Sequence, residues 1–114
     1  MLTMEAHGQI FASTNNMSSF KELINQNKPV LVDFTASWCG PCKVQAPILN
    51  TVKGELGNKA SIVKIDVDRN QHVAQSMNIQ GVPTLILFKN GKQIWRKSGV
   101  VDKNTLVALI QQHV

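Results

Sequence analysis

Cys39 and Cys42 are the only cysteines in the chain, and they stand three positions apart in Trp38-Cys39-Gly40-Pro41-Cys42. A bridge between them would close a loop too small to constrain the unfolded chain, so they are poorly suited to stapling a fold. They are well suited to cycling between two thiols and a Cys39–Cys42 disulfide. If Cys39 opens a helix, the unpaired N–H groups and dipole of that helix stabilise its thiolate, the species that attacks. Cys42, one turn further in, is expected to be the more buried of the two and to react second. Cys39 would attack a substrate disulfide, and Cys42 would then attack Cys39's sulfur and release the reduced substrate. Gly40 and Pro41 add no charge or hydrogen-bonding side chain to hold the thiolate further, which points to a reductant. The rival reading is half of a tetrahedral zinc site, which needs two more ligands. His7, His72 and His113 are scattered and there is no second Cys pair, so no metal is expected.

Asp33 is the next informative residue, because it interrupts the apolar run Val30-Leu31-Val32-Asp33-Phe34. Burial there disfavours the charged form and should raise its pKa, and a carboxylate a few residues before the motif can take the proton of the Cys42 thiol. The plainer alternative is a local structural pairing. Lys64, on the following strand, alternates away from Val63, Ile65 and Val67 and is a candidate partner that would pull the Asp33 pKa back down. Gly81-Val82-Pro83-Thr84 precedes another buried strand, and Pro83 is either a plain residue at its start or part of a cis peptide in a tight turn.

The elements that must position these groups alternate helix and strand. Residues 1 to 8 are read as loosely held, and Gln9–Ala12 as a short edge strand. Ser19-x-x-Glu22 has the form of a capping box, with Phe20, Leu23 and Ile24 at helical spacing in a helix to Gln26. Val30–Phe34 reads as a central strand buried on both faces. After the motif, Val44, Ile48, Val52 and Leu56 recur every four residues as one helix face, with Pro41 in the first turn and Pro47 kinking the interior. Ile62–Val67 reads as a strand parallel to the first through a right-handed crossover. Val73, Ala74 and Met77 suggest a short third helix, and Thr84–Phe88 another buried strand. Asn90-Gly91 predicts a hairpin into Gln93–Lys97, and Asp102 can cap a final helix carrying Leu106, Leu109 and Ile110. The sum is an α/β chain of one domain over residues 1–114, with a central mixed sheet of four to five strands flanked by about four helices.

The chain is 114 residues long with a formal net charge of +5, but its lysines are spread along it. Lys89, Lys92, Arg96 and Lys97 come nearest to a cluster, and Lys on an edge strand more often discourages edge pairing than binds nucleic acid. No apolar run reaches membrane-spanning length, and Met1-Leu2-Thr3-Met4-Glu5 lacks the charged-then-apolar pattern of an export leader. The expectation is a cytoplasmic monomer that binds neither nucleic acid nor membranes.

Over residues 18 to 114 the chain resembles the thioredoxin family. Leu31-Val32-Asp33-Phe34, Trp38-Cys39-Gly40-Pro41-Cys42-Lys43, Ala46-Pro47, Gly81-Val82-Pro83-Thr84-Leu85, Phe88-Lys89-Asn90-Gly91 and Gly99 follow its pattern in order and spacing. The resemblance implies the thioredoxin fold and a protein-disulfide reductase. Cys39 would be the nucleophile and Cys42 the resolving thiol, with Asp33 the buried proton acceptor and Lys64 its partner. Pro83 would be a cis-proline facing the Cys pair and keeping metals off it, and Val82's backbone would pair with the substrate chain. Trp38, Gly40, Pro41, Gly81 and Gly99 would complete the substrate surface. It further implies no bound cofactor, with electrons arriving from NADPH through the flavoprotein thioredoxin reductase. Two rival functions are an exported oxidoreductase and a non-catalytic binding module. The chain departs from many bacterial members at Thr35, where they carry Trp, and at Ser37 and Val44. Trp95 has no counterpart role and reads as packing.

Overall fold

A computed structural model describes residues 2–6 and 8–114, with side chains from Gly8 onward. The chain order is β1 (Leu2–Ala6), β2 (Gln9–Ser13), α1 (Met17–Ile24), β3 (Val30–Thr35), α2 (Gly40–Leu56), a 3-10 turn (Gly57–Lys59), β4 (Ser61–Asp66), α3 (Gln71–Ser76), β5 (Thr84–Lys89), β6 (Lys92–Ser98) and α4 (Lys103–Gln111). Strands lie in the order β1-β2-β4-β3-β5-β6. The β2/β4 and β3/β4 pairs are parallel, and β1/β2, β3/β5 and β5/β6 are antiparallel. The class is the expected mixed α/β sheet with four helices, and the sheet carries one strand more than expected. The reading of residues 1–8 as loose falls partly on Met1 and His7, outside the described residues. The backbone of Leu2–Ala6 pairs with β2, which moves Gln9–Ser13 one place in from the edge.

Central strands β3, β4 and β5 are buried on both faces, which is why their sequences run apolar with little alternation. Val30, Val32 and Phe34 share one face with Phe20, Val63, Ile65, Val73 and Ile86, under α1 and α3. Leu31 shares the other with Ile62, Leu85, Leu87, Leu49, Val52, Leu106 and Ile110, under α2 and α4. Trp95 is half-buried against this second cluster, in keeping with a packing role.

Two local expectations change. Helix α1 begins earlier and ends at Ile24, because the cap is Asn16: its side-chain oxygen accepts the Ser19 N–H at 2.8 Å from an extended backbone. Asn caps as well as Ser, and capping at Asn16 adds a further turn ahead of the buried Phe20. The buried face of α2 is Cys42, Gln45, Leu49, Val52 and Leu56, while Val44 is 56% exposed. A strict four-residue repeat drifts about 40° around the helix per step, so Val44 and Leu56 cannot share one face. A 3-4-3-4 repeat holds the face, and polar Gln45 disguises it. As expected, Asn90 (φ 52) and Gly91 (φ 79) form the hairpin turn, and Asp102 caps α4 by accepting from Thr105 N at 3.1 Å.

Gln45 is fully buried, and both ends of its amide are used: Nε2 donates to Val101 O at 3.0 Å and Oε1 accepts from Val101 N at 2.8 Å. This pair ties the active half of α2 to the loop before α4. Gln45→Leu is expected to lower stability by about 2–4 kcal/mol, because Val101 is left with an unpartnered buried N–H and C=O. Urea unfolding at neutral pH measures it.

Candidate active site

The site lies where β3 ends and α2 begins. Cys39 is the N-cap of α2, with an extended backbone (φ −87, ψ 116), and its Sγ accepts the Cys42 N–H at 3.1 Å. The first sulfur therefore takes one of the donors that a helix start leaves unpaired, as a thiolate needs. Pro41 falls in the first turn, where its missing N–H removes no helical bond. Cys39 and Cys42 are joined as a disulfide, with Cα atoms 5.3 Å apart.

Burial does not separate the two sulfurs as expected, since Cys39 is 3% and Cys42 5% exposed. The reason is the opposing loop. The Val82–Pro83 peptide is cis, and Val82 O lies 3.6 Å from Cys39 Sγ, so the loop covers the first sulfur. Ala36, Val67 and Val82 complete an apolar wrapping of the pair. The two cysteines differ in helix position: only Cys39 sits at the dipole's positive end.

Asp33 is 2% exposed and lies on the α2 face of the sheet, two residues on from Leu31 and nearer the helix start. Its Oδ1 is buried without a hydrogen-bond partner. Burial raises its pKa from an ordinary 3.8 to about 7, and the Lys64 charge opposes the rise. Lys64 stands directly opposite Asp33 in the β3/β4 ladder. It is itself buried, and burial lowers its pKa while Asp33 works to raise it. Sequence alternation thus placed Lys64 on the correct face.

Trp38 is 68% exposed beside the pair, its Nε1 donating to Asp68 Oδ2 at 2.7 Å. With Val67, Ile79, Gln80, Gly81 and Val82 it lines an apolar groove. A Cβ on Gly40 or Gly81 would meet nothing within 4 Å, so both positions border open space. Gly99 is tied to the opposing loop by donating its N–H to Pro83 O at 2.8 Å, and Thr84 Oγ1 braces the loop by donating to Gly81 O at 2.7 Å. All the sequence-predicted residues therefore gather at one end of the sheet. Those missed are Gln45, Asp68, and the groove walls Val67, Ile79 and Gln80. Only Gln45 had a sequence signal, a polar residue three positions after Cys42. Among the described residues there is no group of three or more His, Cys, Asp or Glu able to hold a metal ion, and no helix is long and apolar enough to cross a membrane.

The thioredoxin family model matches residues 11–112. The chain is 42% identical over 98 residues to thioredoxin from Rickettsia felis, covering 85% of this chain and 93% of that protein. It is 43% identical over 104 residues to chloroplastic thioredoxin Y of Oryza sativa subsp. japonica, covering 90% of this chain and spanning 62% of that longer protein. Among solved structures, a mutant thioredoxin from Halobacterium salinarum superposes with a TM-score of 0.79 at 33% identity, covering 96% of this chain and 95% of that one. With a disulfide-forming Cys-Gly-Pro-Cys at a helix start and a family match over most of its length, the chain belongs to the thioredoxin family of dithiol–disulfide oxidoreductases.

Proposed function

We propose that the protein is a general reductant of disulfides in other proteins, with Cys39 attacking, Cys42 resolving and Asp33 accepting the Cys42 proton. The observation that carries this reading is the unpartnered, buried Asp33 oxygen on the face under α2, at the end where the Cys pair sits. A partner disulfide would lie in the groove beside Trp38, with its backbone along Val82 and the surface at Gly40, Pro41, Gly81 and Gly99. The Cys39 thiolate attacks one partner sulfur, the partner's other sulfur leaves with the electron pair, and a mixed disulfide forms. Cys42 then gives its proton to Asp33, attacks Cys39 Sγ and expels the second partner thiolate.

The oxidised pair needs an electron source, and the proposal assigns it to NADPH through a flavoprotein thioredoxin reductase, with no cofactor held by this chain. A relative from Mycobacterium leprae, 37% identical over 106 residues, carries the name bifunctional thioredoxin reductase/thioredoxin. The chain would act as a monomer of one domain in the cytoplasm, where the thiol poise favours a reductant. The test is catalysed reduction of insulin disulfides with NADPH and a bacterial thioredoxin reductase. Steady NADPH consumption dependent on this protein is the expected result. A protein that is reduced chemically but never by the enzyme would sink the reductase assignment, and one that oxidises dithiols faster than it reduces disulfides would reverse the direction.

A further inference from the structure

Across three neighbouring strands, Phe11 of β2, Lys64 of β4 and Asp33 of β3 stand in register. Lys64 thus has an aromatic ring on one side and a carboxylate on the other. Its ammonium goes to the ring, with Nζ 5.2 Å from the Phe11 centroid. Among the described residues the ion pair in direct contact is Lys103–Glu55 at 2.8 Å, so Lys64 and Asp33 feel each other's charge without meeting. Asp33 Oδ1 is correspondingly left without a partner.

We propose that Phe11 is a positioning residue for the redox reaction: its ring holds the Lys64 ammonium off Asp33 and so keeps a carboxylate oxygen open for the Cys42 proton. The proposal rests on Asp33 as proton acceptor and adds the device that sets its strength. A lysine that closed onto Asp33 would stabilise the carboxylate and make it a weaker base. The face of an aromatic ring attracts the same ammonium without neutralising it, and so competes with that closure. Phe11 is 37% exposed and belongs to neither hydrophobic cluster, so core packing does not account for its ring.

Few other charges face Asp33 among the described residues. At the start of α2, Cys39 and Cys42 are tied as a disulfide in this state and carry no charge. From β5 comes Leu85, and beyond it on β6 the exposed Lys97, opposite Leu85. Asp102, before α4, is exposed and turned to Thr105. From β2, Phe11 and Gln9 carry no charge. Lys64 is therefore the cation whose position governs the carboxylate.

The experiment is a 13C NMR titration of the Asp33 carboxyl in Phe11→Leu and Phe11→Tyr, each alone and combined with Lys64→Met. Leucine keeps most of the bulk and removes the ring face, whereas tyrosine keeps the face. Phe11→Leu is expected to lower the Asp33 midpoint by about one pH unit, as a carboxylate gaining a closer cation should. Phe11→Tyr should leave it unchanged. In the Lys64→Met background the leucine variant should have no effect. An unchanged or raised midpoint in Phe11→Leu, or the same drop persisting without Lys64, overturns the proposal. The pH profile of mixed-disulfide resolution should move to lower pH with the titration. A profile that stays put while the titration moves would leave Phe11's hold on Lys64 intact and instead overturn Asp33 as proton acceptor.

Discussion

Replacing Cys39 by serine is expected to lower disulfide reduction by at least about 10³-fold, because a serine hydroxyl at neutral pH neither ionises nor forms a stable bond to a leaving sulfur. Replacing Cys42 by serine has a different expected outcome. The attacking sulfur keeps its place at the helix start, where Cys39 Sγ accepts the residue 42 N–H at 3.1 Å. Attack on a partner disulfide then proceeds, but nothing expels the partner, and the mixed disulfide accumulates. Mass spectrometry after mixing each variant with a disulfide-bonded peptide separates the two cases. The expected pattern is a covalent adduct on Cys39 in Cys42→Ser and little adduct on Cys42 in Cys39→Ser. Equal trapping by both variants would refute the assignment of first and second thiol, since both sulfurs are buried to a similar degree and only their place relative to the helix distinguishes them.

The second large effect concerns Asp33 and has opposite signs for stability and for rate. Burial raises its carboxyl from 3.8 to about 7. Between those values the folded protein holds a proton that the unfolded chain has lost, so stability falls as pH rises through this window. A shift of about three units corresponds to about 4 kcal/mol, present as a deficit above pH 7 and absent below pH 4. Asp33→Asn keeps the shape without the charge. It is expected to match the wild type near pH 4 and to exceed it by up to about 4 kcal/mol at pH 8, measured by urea unfolding of the oxidised forms. A gain that does not depend on pH would show that the ionised carboxylate is not the source of the deficit. The same substitution should slow resolution of the mixed disulfide by about 10²-fold, the lower range for losing a general base.

Much of this was legible in residue types and spacing. The β3 run, the Asn90-Gly91 hairpin, the Asp102 cap and the position of the Cys pair at a helix start all follow from local rules that act over a few residues. Asp33 declared itself because a carboxylate inside an apolar run has few harmless explanations. The α1 start did not, since Asn16 and Ser19 are both competent caps and the choice depends on how Phe20 docks between Phe34 and Phe88. The α2 face was misread because Gln45, its second buried position, is polar. Its amide is satisfied by Val101, 56 residues away, and no local pattern reports such a partner.

What the sequence by itself determined is the chemistry: two thiols at redox spacing, a turn without charge between them, an acid inside an apolar run upstream and a proline before a later strand. These are set by residue identity and short-range geometry, and no fold is needed to name them. Tertiary structure alone decided their environment. The Val82–Pro83 loop covers Cys39 as fully as Cys42, and Asp68 anchors Trp38. Strand order places Lys64 between Phe11 and Asp33. Each of these depends on which strands lie side by side, and desolvation and charge separation follow from that arrangement.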